Sequence, residues 1–199
     1  SGKPVSPIKV TVPVRPAGQK DVINLTTPKM DVVRVGFVGL GMRGPGAVER
    51  WTHIPGTKIV ALCDVEANRV ENAEKILDKA GLPRAAAYSG SVEAYKKMCE
   101  RNDIDIIYIA TDWKHHTPIA LYAMNHGKNV AIEVPAATSL KEIWDLINTS
   151  ERTRKHCMML ENCVYDFFEL ATLNMSQKGL FGEVLHVEGS YLHNLDDFW

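Results

Sequence analysis

The sequence predicts an α/β fold: a Rossmann-type doubly wound parallel sheet, followed by the start of a truncated α+β substrate domain. Two observations carry this prediction. Short apolar runs alternate with helical patterns through the middle of the chain, which is typical of a parallel sheet covered by helices. The first run ends in the spacing G-x-G-x-x-G at Gly39, Gly41 and Gly44, where a strand turns into a helix around a phosphate group.

Each element is indicated by its own apolar pattern and boundary residues. The predicted strands cover residues 32–38, 58–64, 85–88, 104–110, 129–132 and 157–160, with a further strand-like stretch over 183–193. One helix follows Gly44, and others cover residues 67–80, 91–101 and 165–178.

Two further helices are predicted from their first residues. Thr117 and Pro118 supply an N-cap and a first-turn proline for a helix that ends at Gly127. Ser139 and Glu142 have capping-box spacing. An apolar stripe follows on that helix, and it consists of Leu140, Ile143, Trp144 and Ile147.

Three regions follow from this pattern. Residues 1–30 are predicted to be an extended, processed arm, residues 31–162 the nucleotide-binding domain, and residues 163–199 the start of the substrate domain. The compartment stays open between the cytoplasm and export, since a signal could have been removed before Ser1.

Composition excludes several classes of protein. The net charge of −1 over 199 residues gives no reason to expect a nucleic acid partner, and no apolar run reaches bilayer length. The cysteines are scattered without a C-x-x-C pair, which argues against a disulfide framework and a metal site; they are Cys63, Cys99, Cys157 and Cys163. A homo-oligomer is left open.

The glycine turn and the residue that closes the second strand predict NAD as the cofactor. Gly39 permits a tight turn, Gly41 close approach of the pyrophosphate, and Gly44 helix–strand packing. Asp64 lies twenty residues past Gly44, where a carboxylate accepts hydrogen bonds from ribose hydroxyls and repels a 2′-phosphate. A role for Asp64 as a helix cap is the alternative, and Arg69 keeps NADP open.

Ligands of such sheets bind beyond the carboxyl ends of the strands, which selects further candidates. Trp113 and His116 follow the fourth strand and are candidates to contact the cofactor, with surface packing as the alternative. Glu133 after the fifth strand and Asn162 after the sixth are candidates for the nicotinamide end, with turn formation as the alternative. Two candidates for substrate contact lie on the last stretch, with ordinary cross-sheet packing as the alternative, and these are Tyr191 and His193.

Residues from 32 onward resemble the N-terminal half of the Gfo/Idh/MocA family of NAD(P)-dependent sugar oxidoreductases. That family usually has Glu-Lys-Pro after the fifth strand, where the lysine assists proton transfer, whereas this chain has Glu133, Val134 and Pro135. Three of its segments are similar to the family 109 glycosidases, typically α-N-acetylgalactosaminidases. They are Glu-Val-Pro-Ala-Ala at 133–137, Met-Met-Leu-Glu-Asn-Cys at 158–163 and Gly-x-Tyr-x-His at 189–193.

The resemblance implies a set of contacts and a reaction. The implied NAD contacts are Met42, Arg43, Asp64, Trp113, Lys114, His115, His116, Glu133, Val134 and Asn162. Tyr191 is implied to touch the sugar. The implied reaction is glycoside hydrolysis by transient oxidation at sugar C3, elimination and water addition, instead of two flanking carboxylates.

The glycosidases commonly have Thr-Pro-Trp-Glu-Trp-His where this chain has Thr-Asp-Trp-Lys-His-His at 111–116, so the exact sugar is not predicted. Their catalytic bases lie further downstream, so no catalytic residue is assigned here. A sugar or cyclitol dehydrogenase and an inactive NAD-binding fragment are the alternatives.

Overall fold

A computed structural model describes residues 12–190, 192 and 194 of the chain. They divide into two compact units, of which the first ends at Leu160 and the second begins at Glu161. All the strands of the described residues belong to the first unit.

The first unit is built on one parallel sheet with the order β3-β2-β1-β4-β5-β6. Its strands are β1 (Val33–Val38), β2 (Thr57–Cys63), β3 (Ala86–Tyr88), β4 (Ile106–Ile109), β5 (Asn129–Glu133) and β6 (Cys157–Leu160). This is the order of a Rossmann sheet, in which the chain reverses direction across the sheet between β1 and β4. The predicted α/β fold is therefore confirmed.

Helices cover both faces of the sheet. They are α1 (Gly44–Trp51), α2 (Ala67–Lys79), α3 (Ala94–Cys99), α4 (Trp113–Asn125) and α5 (Leu140–Thr153). Side chains of alternate strand residues point to opposite faces, which separates the core into two clusters. Phe37 packs with residues of α1 and α2 on one face, and Ile107 packs with residues of α3 and α4 on the other.

The predicted start of α4 is wrong by one turn. The helix begins at Trp113, with Asp112 as its N-cap and Pro118 inside it. The Asp112 carboxylate accepts a hydrogen bond from the backbone N–H of Lys114 at 3.0 Å, whereas the Thr117 hydroxyl donates to the carbonyl of Ala136. Thr117 is thus used in a tertiary contact, and Asp112 takes the capping position.

Most of the apolar stripe of α5 is exposed. Leu140, Ile143 and Ile147 are exposed, although the predicted N-cap Ser139 does accept a hydrogen bond from the Glu142 N–H. The buried face of α5 is formed by Leu146, Thr149, Ser150 and Glu151. Polar groups are tolerated there because they are hydrogen-bonded.

Glu151 is one such group, and it connects α5 to the N-terminal segment. Arg15 donates two hydrogen bonds to its carboxylate, at 2.9 and 3.0 Å, and Gln19 donates a third at 2.7 Å. The Arg15 guanidinium holds the pKa of Glu151 below its usual range. The bonds from Arg15 and Gln19 to Glu151 hold the N-terminal segment against α5. Residues 12–32 form no helix or strand of their own.

The second unit contains α6 (Phe167–Gln177), which has no buried residue. Residues 183–190 carry no strand, so the strand predicted for 183–193 is wrong over that part. A strand needs a hydrogen-bonded neighbour, and none is present for these residues in the described part of the chain. Of the described helices, none has the length and apolarity needed to cross a membrane.

Candidate functional site

A cavity of about 530 Å³ opens at the carboxyl ends of β1, β2, β4 and β5. Cofactor and substrate sites typically measure about 300–1,000 Å³. We call the residues after β1 and β2 the first wall of this cavity and those after β4 and β5 the second wall. The cavity lies at the point where the strand order reverses, as expected for a ligand site in a doubly wound sheet.

The glycine turn forms the centre of the first wall. Gly39 has a φ of +90°, and a β-carbon there would lie 2.4 Å from the carbonyl oxygen of Ala110. A β-carbon at Gly44 would lie 2.1 Å from the carbonyl oxygen of Gly39, so α1 packs directly against the turn. At Gly41 the nearest atom would be 3.6 Å away, on the Arg69 side chain. Gly41 thus leaves open space beside the backbone on the cavity wall.

Asp64 fastens this turn to the end of β2. Its Oδ2 accepts a hydrogen bond from the Leu40 N–H at 2.7 Å, and its Oδ1 accepts one from the Glu66 N–H at 2.9 Å. The residue is 6% exposed and lines the cavity. Carboxylate oxygens have about four acceptor sites, so two backbone bonds leave capacity for ligand hydroxyls. The alternative role as a helix cap is wrong, because the N-cap of α2 is Glu66 and no side chain caps that helix.

Positive charge lies beside Asp64, and the helix that follows the glycine turn begins without a side-chain cap. The Nη1 atom of Arg69 is 3.5 Å from Asp64 Oδ1, and Arg43 also lines the cavity. Helix α1 begins without a side-chain cap and without an acidic residue in its first turn. The positive end of a helix with uncapped N–H groups favours anions such as phosphate.

The second wall presents a paired aspartate and histidine. Asp112 Oδ2 lies 2.7 Å from His115 Nδ1, and both residues line the cavity. Trp113, next to them, is 63% exposed. Partial burial raises the pKa of Asp112. The bonds from His115 and from the Lys114 N–H together lower it by more, so the pKa lies below its usual value.

His116 holds two loops of the second wall together. Its Nδ1 lies 2.8 Å from the carbonyl oxygen of Pro135, and its Nε2 lies 3.0 Å from that of Thr111. The residue is 1% exposed. Both ring nitrogens are already in contact with the backbone, so His116 positions the wall and has no nitrogen left for a ligand.

Glu133 and Val134 complete the second wall. Glu133 ends β5, and its Oε1 accepts a hydrogen bond from the Tyr108 hydroxyl at 2.6 Å. Val134 lines the cavity directly after it. The wall therefore offers a carboxylate beside an apolar side chain.

Most of the predicted cofactor residues lie together on this cavity. Those that line it are Gly39, Gly41, Met42, Arg43, Asp64, Trp113, His115, His116, Glu133 and Val134. Gly44 and Lys114 do not line it. Asn162 belongs to the second unit and stays a prediction. Tyr191 and His193 lie outside the described residues.

Sequence reasoning missed several cavity residues near β2 and β3. Val65 follows β2, while Ser91, Val92 and Tyr95 come after β3. The strand-end rule, applied to β2 and to the short edge strand β3, would have pointed to these two segments. Cys63 also lines the cavity. Burial, with a smaller contribution from the Asp64 charge, raises the pKa of Cys63 to about 12, so its thiol is not a ready nucleophile.

Comparison with known proteins identifies this architecture. Residues 33–161 match the Gfo/Idh/MocA family model, described as an oxidoreductase family with an NAD-binding Rossmann fold. The chain is 74% identical over 98% of its length to "Glycosyl hydrolase family 109 protein 1" of Bacteroides thetaiotaomicron, of which it covers 42%. A family 109 protein of Porphyromonas gingivalis is 66% identical, again with 42% of that protein covered. The chain thus spans less than half the length of these curated relatives.

Solved structures give the same fold. A myo-inositol 2-dehydrogenase from Lactobacillus plantarum superposes with a TM-score of 0.64 at 25% identity, covering 77% of this chain and 43% of that protein. A myo-inositol dehydrogenase from Lactobacillus casei, solved with NAD(H) and myo-inositol, gives a TM-score of 0.64 at 24% identity, covering 76% of this chain and 43% of that protein. With its sheet order, its glycine turn and the family match over residues 33–161, this chain belongs to the Gfo/Idh/MocA oxidoreductase family and contains the family's Rossmann domain.

Proposed function

We propose that the chain is the NAD-binding part of a glycoside hydrolase of the α-N-acetylgalactosaminidase type, which acts by transient oxidation of the sugar at C3. The observation that carries this proposal is Val134. It lines the cavity directly after Glu133, at the place where the family's dehydrogenases usually have a lysine. An apolar side chain there supplies no proton-transfer group for a net dehydrogenation. The relatives named as family 109 glycosyl hydrolases support the same proposal.

The residues of the first wall fit a dinucleotide. The open space beside Gly41 and the uncapped start of α1 suit a pyrophosphate. Asp64, with acceptor capacity remaining, suits the adenosine ribose. These groups follow one another along the carboxyl edge of the sheet, so the second nucleoside would lie toward β4 and β5, near Glu133.

When bound, NAD+ would supply a two-electron acceptor that takes the hydride of sugar C3 and gives it back once the C2 proton and the glycosidic oxygen have left and water has added across C1 and C2. The chain's own residues contribute binding and orientation. Asp64 and Glu133 hold hydroxyl groups, and His116 holds the loops of the second wall at a fixed separation.

NAD is favoured over NADP by the position of Asp64. Its carboxylate is nearly buried and lies at the end of β2, where a 2′-phosphate would meet a negative charge in a site with little solvent screening. Arg69 favours NADP, because a guanidinium can bind a 2′-phosphate. Its Nη1 atom, however, lies 3.5 Å from the same Asp64 carboxylate. The pairing partly neutralises Arg69 and leaves less of its charge for a phosphate.

A sugar or cyclitol dehydrogenase is the second candidate function. The similarity in fold to myo-inositol dehydrogenases favours it, and the missing lysine disfavours it. The two functions differ in one observable, because a dehydrogenase accumulates NADH in proportion to product and the glycosidase does not.

The test uses the full-length protein with an aryl α-N-acetylgalactosaminide and no added NAD+. Release of the aryl group without net NADH is the expected result. NADH formed in equal amount with an oxidised free sugar would instead establish the dehydrogenase. A Val134→Lys variant serves as a probe, and it is expected to lose aryl release while still binding NAD+.

A further inference from the structure

Glu133 is held by a tyrosine that no motif of the sequence selects. The Tyr108 hydroxyl donates to Glu133 Oε1 at 2.6 Å. Among the residues that the structure describes, no other group makes a hydrogen bond to the Glu133 side chain. The conformation of this carboxylate on the cavity wall therefore depends on Tyr108.

The contact follows from the register of the sheet. Tyr108 on β4 pairs with Ala131 on β5, so Glu133 lies two residues further along β5 on the same face. With a rise of about 3.3 Å per residue and about 4.8 Å between parallel strands, the two α-carbons are about 8 Å apart, within reach of an aromatic side chain. A tyrosine at this position can thus span from the core to the carboxyl edge of the sheet.

Tyr108 itself is rigidly packed. It is 5% exposed, and its ring lies 5.0 Å from that of Phe37 and 6.4 Å from that of Trp51, measured between centroids. Burial, followed by the bond to Glu133, raises the pKa of Tyr108 well above its ordinary value. The hydroxyl therefore stays protonated and donates in a fixed direction.

We propose that Tyr108 is a positioning residue, which orients the Glu133 carboxylate so that Oε2 accepts hydrogen bonds from ribose hydroxyls of the second nucleoside of the cofactor. This inference rests on the proposed function. Tyr108 does not touch the ligand, and it acts through Glu133.

The chain contains a matched control pair. The Tyr122 hydroxyl donates to Glu100 Oε1 at the same distance, 2.6 Å. Neither residue lines the cavity. Tyr122→Phe therefore removes a hydrogen bond of the same chemistry from a place where no ligand is expected.

The experiment measures the binding of NAD+ and of ADP, which lacks the second ribose, by calorimetry. The variants are Tyr108→Phe, Glu133→Gln, the double variant and Tyr122→Phe. Tyr108→Phe is expected to weaken NAD+ binding about tenfold, the size of one hydrogen bond to a charged group, with ADP binding unchanged. The double variant is expected to bind NAD+ no more weakly than Glu133→Gln alone, because both changes remove one function.

The other possible results contradict either the positioning role of Tyr108 or the proposed function. A Tyr108→Phe variant that binds NAD+ like the wild type, that weakens ADP equally, or whose effect adds fully to that of Glu133→Gln contradicts the positioning role. A wild-type chain that binds ADP and not NAD+ also contradicts it. A wild-type chain that binds neither overturns the proposed function and this inference together.

Discussion

The two walls of the cavity are held in different ways. The first wall is fixed by backbone, since Gly44 packs against Gly39 and Asp64 binds two backbone N–H groups. The second wall is fixed by side chains from separate elements, such as His116 between two loops and Tyr108 behind Glu133. We infer that substitutions in the first wall reduce both the stability of the fold and the affinity for the cofactor. Substitutions in the second wall should reduce the affinity with a smaller loss of stability.

The largest effect is expected at Gly44. Replacing it by alanine places a β-carbon 2.1 Å from a carbonyl oxygen, so the turn and α1 must move apart, and we expect a loss of about 3 kcal/mol or more in unfolding free energy. Gly41→Ala is the matched control, because its β-carbon would make only an ordinary contact with the Arg69 side chain, at 3.6 Å. That variant should unfold near the wild-type temperature and bind NAD+ more weakly. Equal melting temperatures for both variants would contradict the account of the turn.

Asp64 is expected to give the next largest effect. Asp64→Ala leaves the buried N–H of Leu40 without its acceptor, at a cost of about 1–3 kcal/mol, and also removes the part-buried bond from the Glu66 N–H. Asp64→Asn keeps one acceptor oxygen and should lose roughly half as much. Denaturant unfolding of the two variants measures this order. If alanine and asparagine cost the same, the two backbone bonds are not what makes Asp64 stabilising.

A smaller effect is expected at the start of α4. Asp112→Ala removes a helix cap and should cost about 1 kcal/mol. Ser139→Ala removes the cap of α5, where Ser139 accepts from the Glu142 N–H at 3.3 Å, and serves as a control outside the cavity. The two variants should have similar stability, but only Asp112→Ala should change NAD+ affinity. If Ser139→Ala also changed NAD+ affinity, the effect of Asp112→Ala on affinity could be a general result of losing a helix cap, and the role of Asp112 in the cavity would not be supported.

The smallest effect is a shift in titration. The pKa of Asp112 lies below its usual value in the folded chain, so the stabilisation that it contributes is present above the unfolded-state pKa and is lost as pH falls through the folded one. In His115→Ala this pKa should rise toward the usual value. NMR of the labelled carboxyl carbon across the acid range measures the shift. An unchanged pKa would mean that the His115 contact has no electrostatic effect.

The first wall could be predicted from sequence because its contacts are encoded by short spacings. Gly39, Gly41 and Gly44 lie within one turn, and Asp64 follows the next strand. The backbone requirement at each position leaves few residue types available. The prediction of the Rossmann fold succeeded for the same reason, since each strand and helix carries its own local pattern.

The second wall could be predicted only in outline. The strand-end rule selected Glu133 and the residues after β4, but the start of α4 was misplaced because Thr117 and Pro118 form a locally convincing cap. In the structure the Thr117 hydroxyl donates to the carbonyl of Ala136, nineteen residues away, and so does not cap the helix. Tyr108 was missed because its contact with Glu133 depends on strand register, which no local spacing reveals. The buried face of α5 could not be predicted from its apolar stripe, since packing decides which face is buried.

The most direct test of the central claim is a calorimetric titration of the chain with NAD+ and, separately, with NADP+. We expect NAD+ to bind and NADP+ to bind at least tenfold more weakly, because a 2′-phosphate would lie against the Asp64 carboxylate in a poorly screened site. Asp64→Asn should narrow that difference. Equal affinity for the two nucleotides, or a preference for NADP+, would contradict the role of Asp64 and with it the assignment of the first wall.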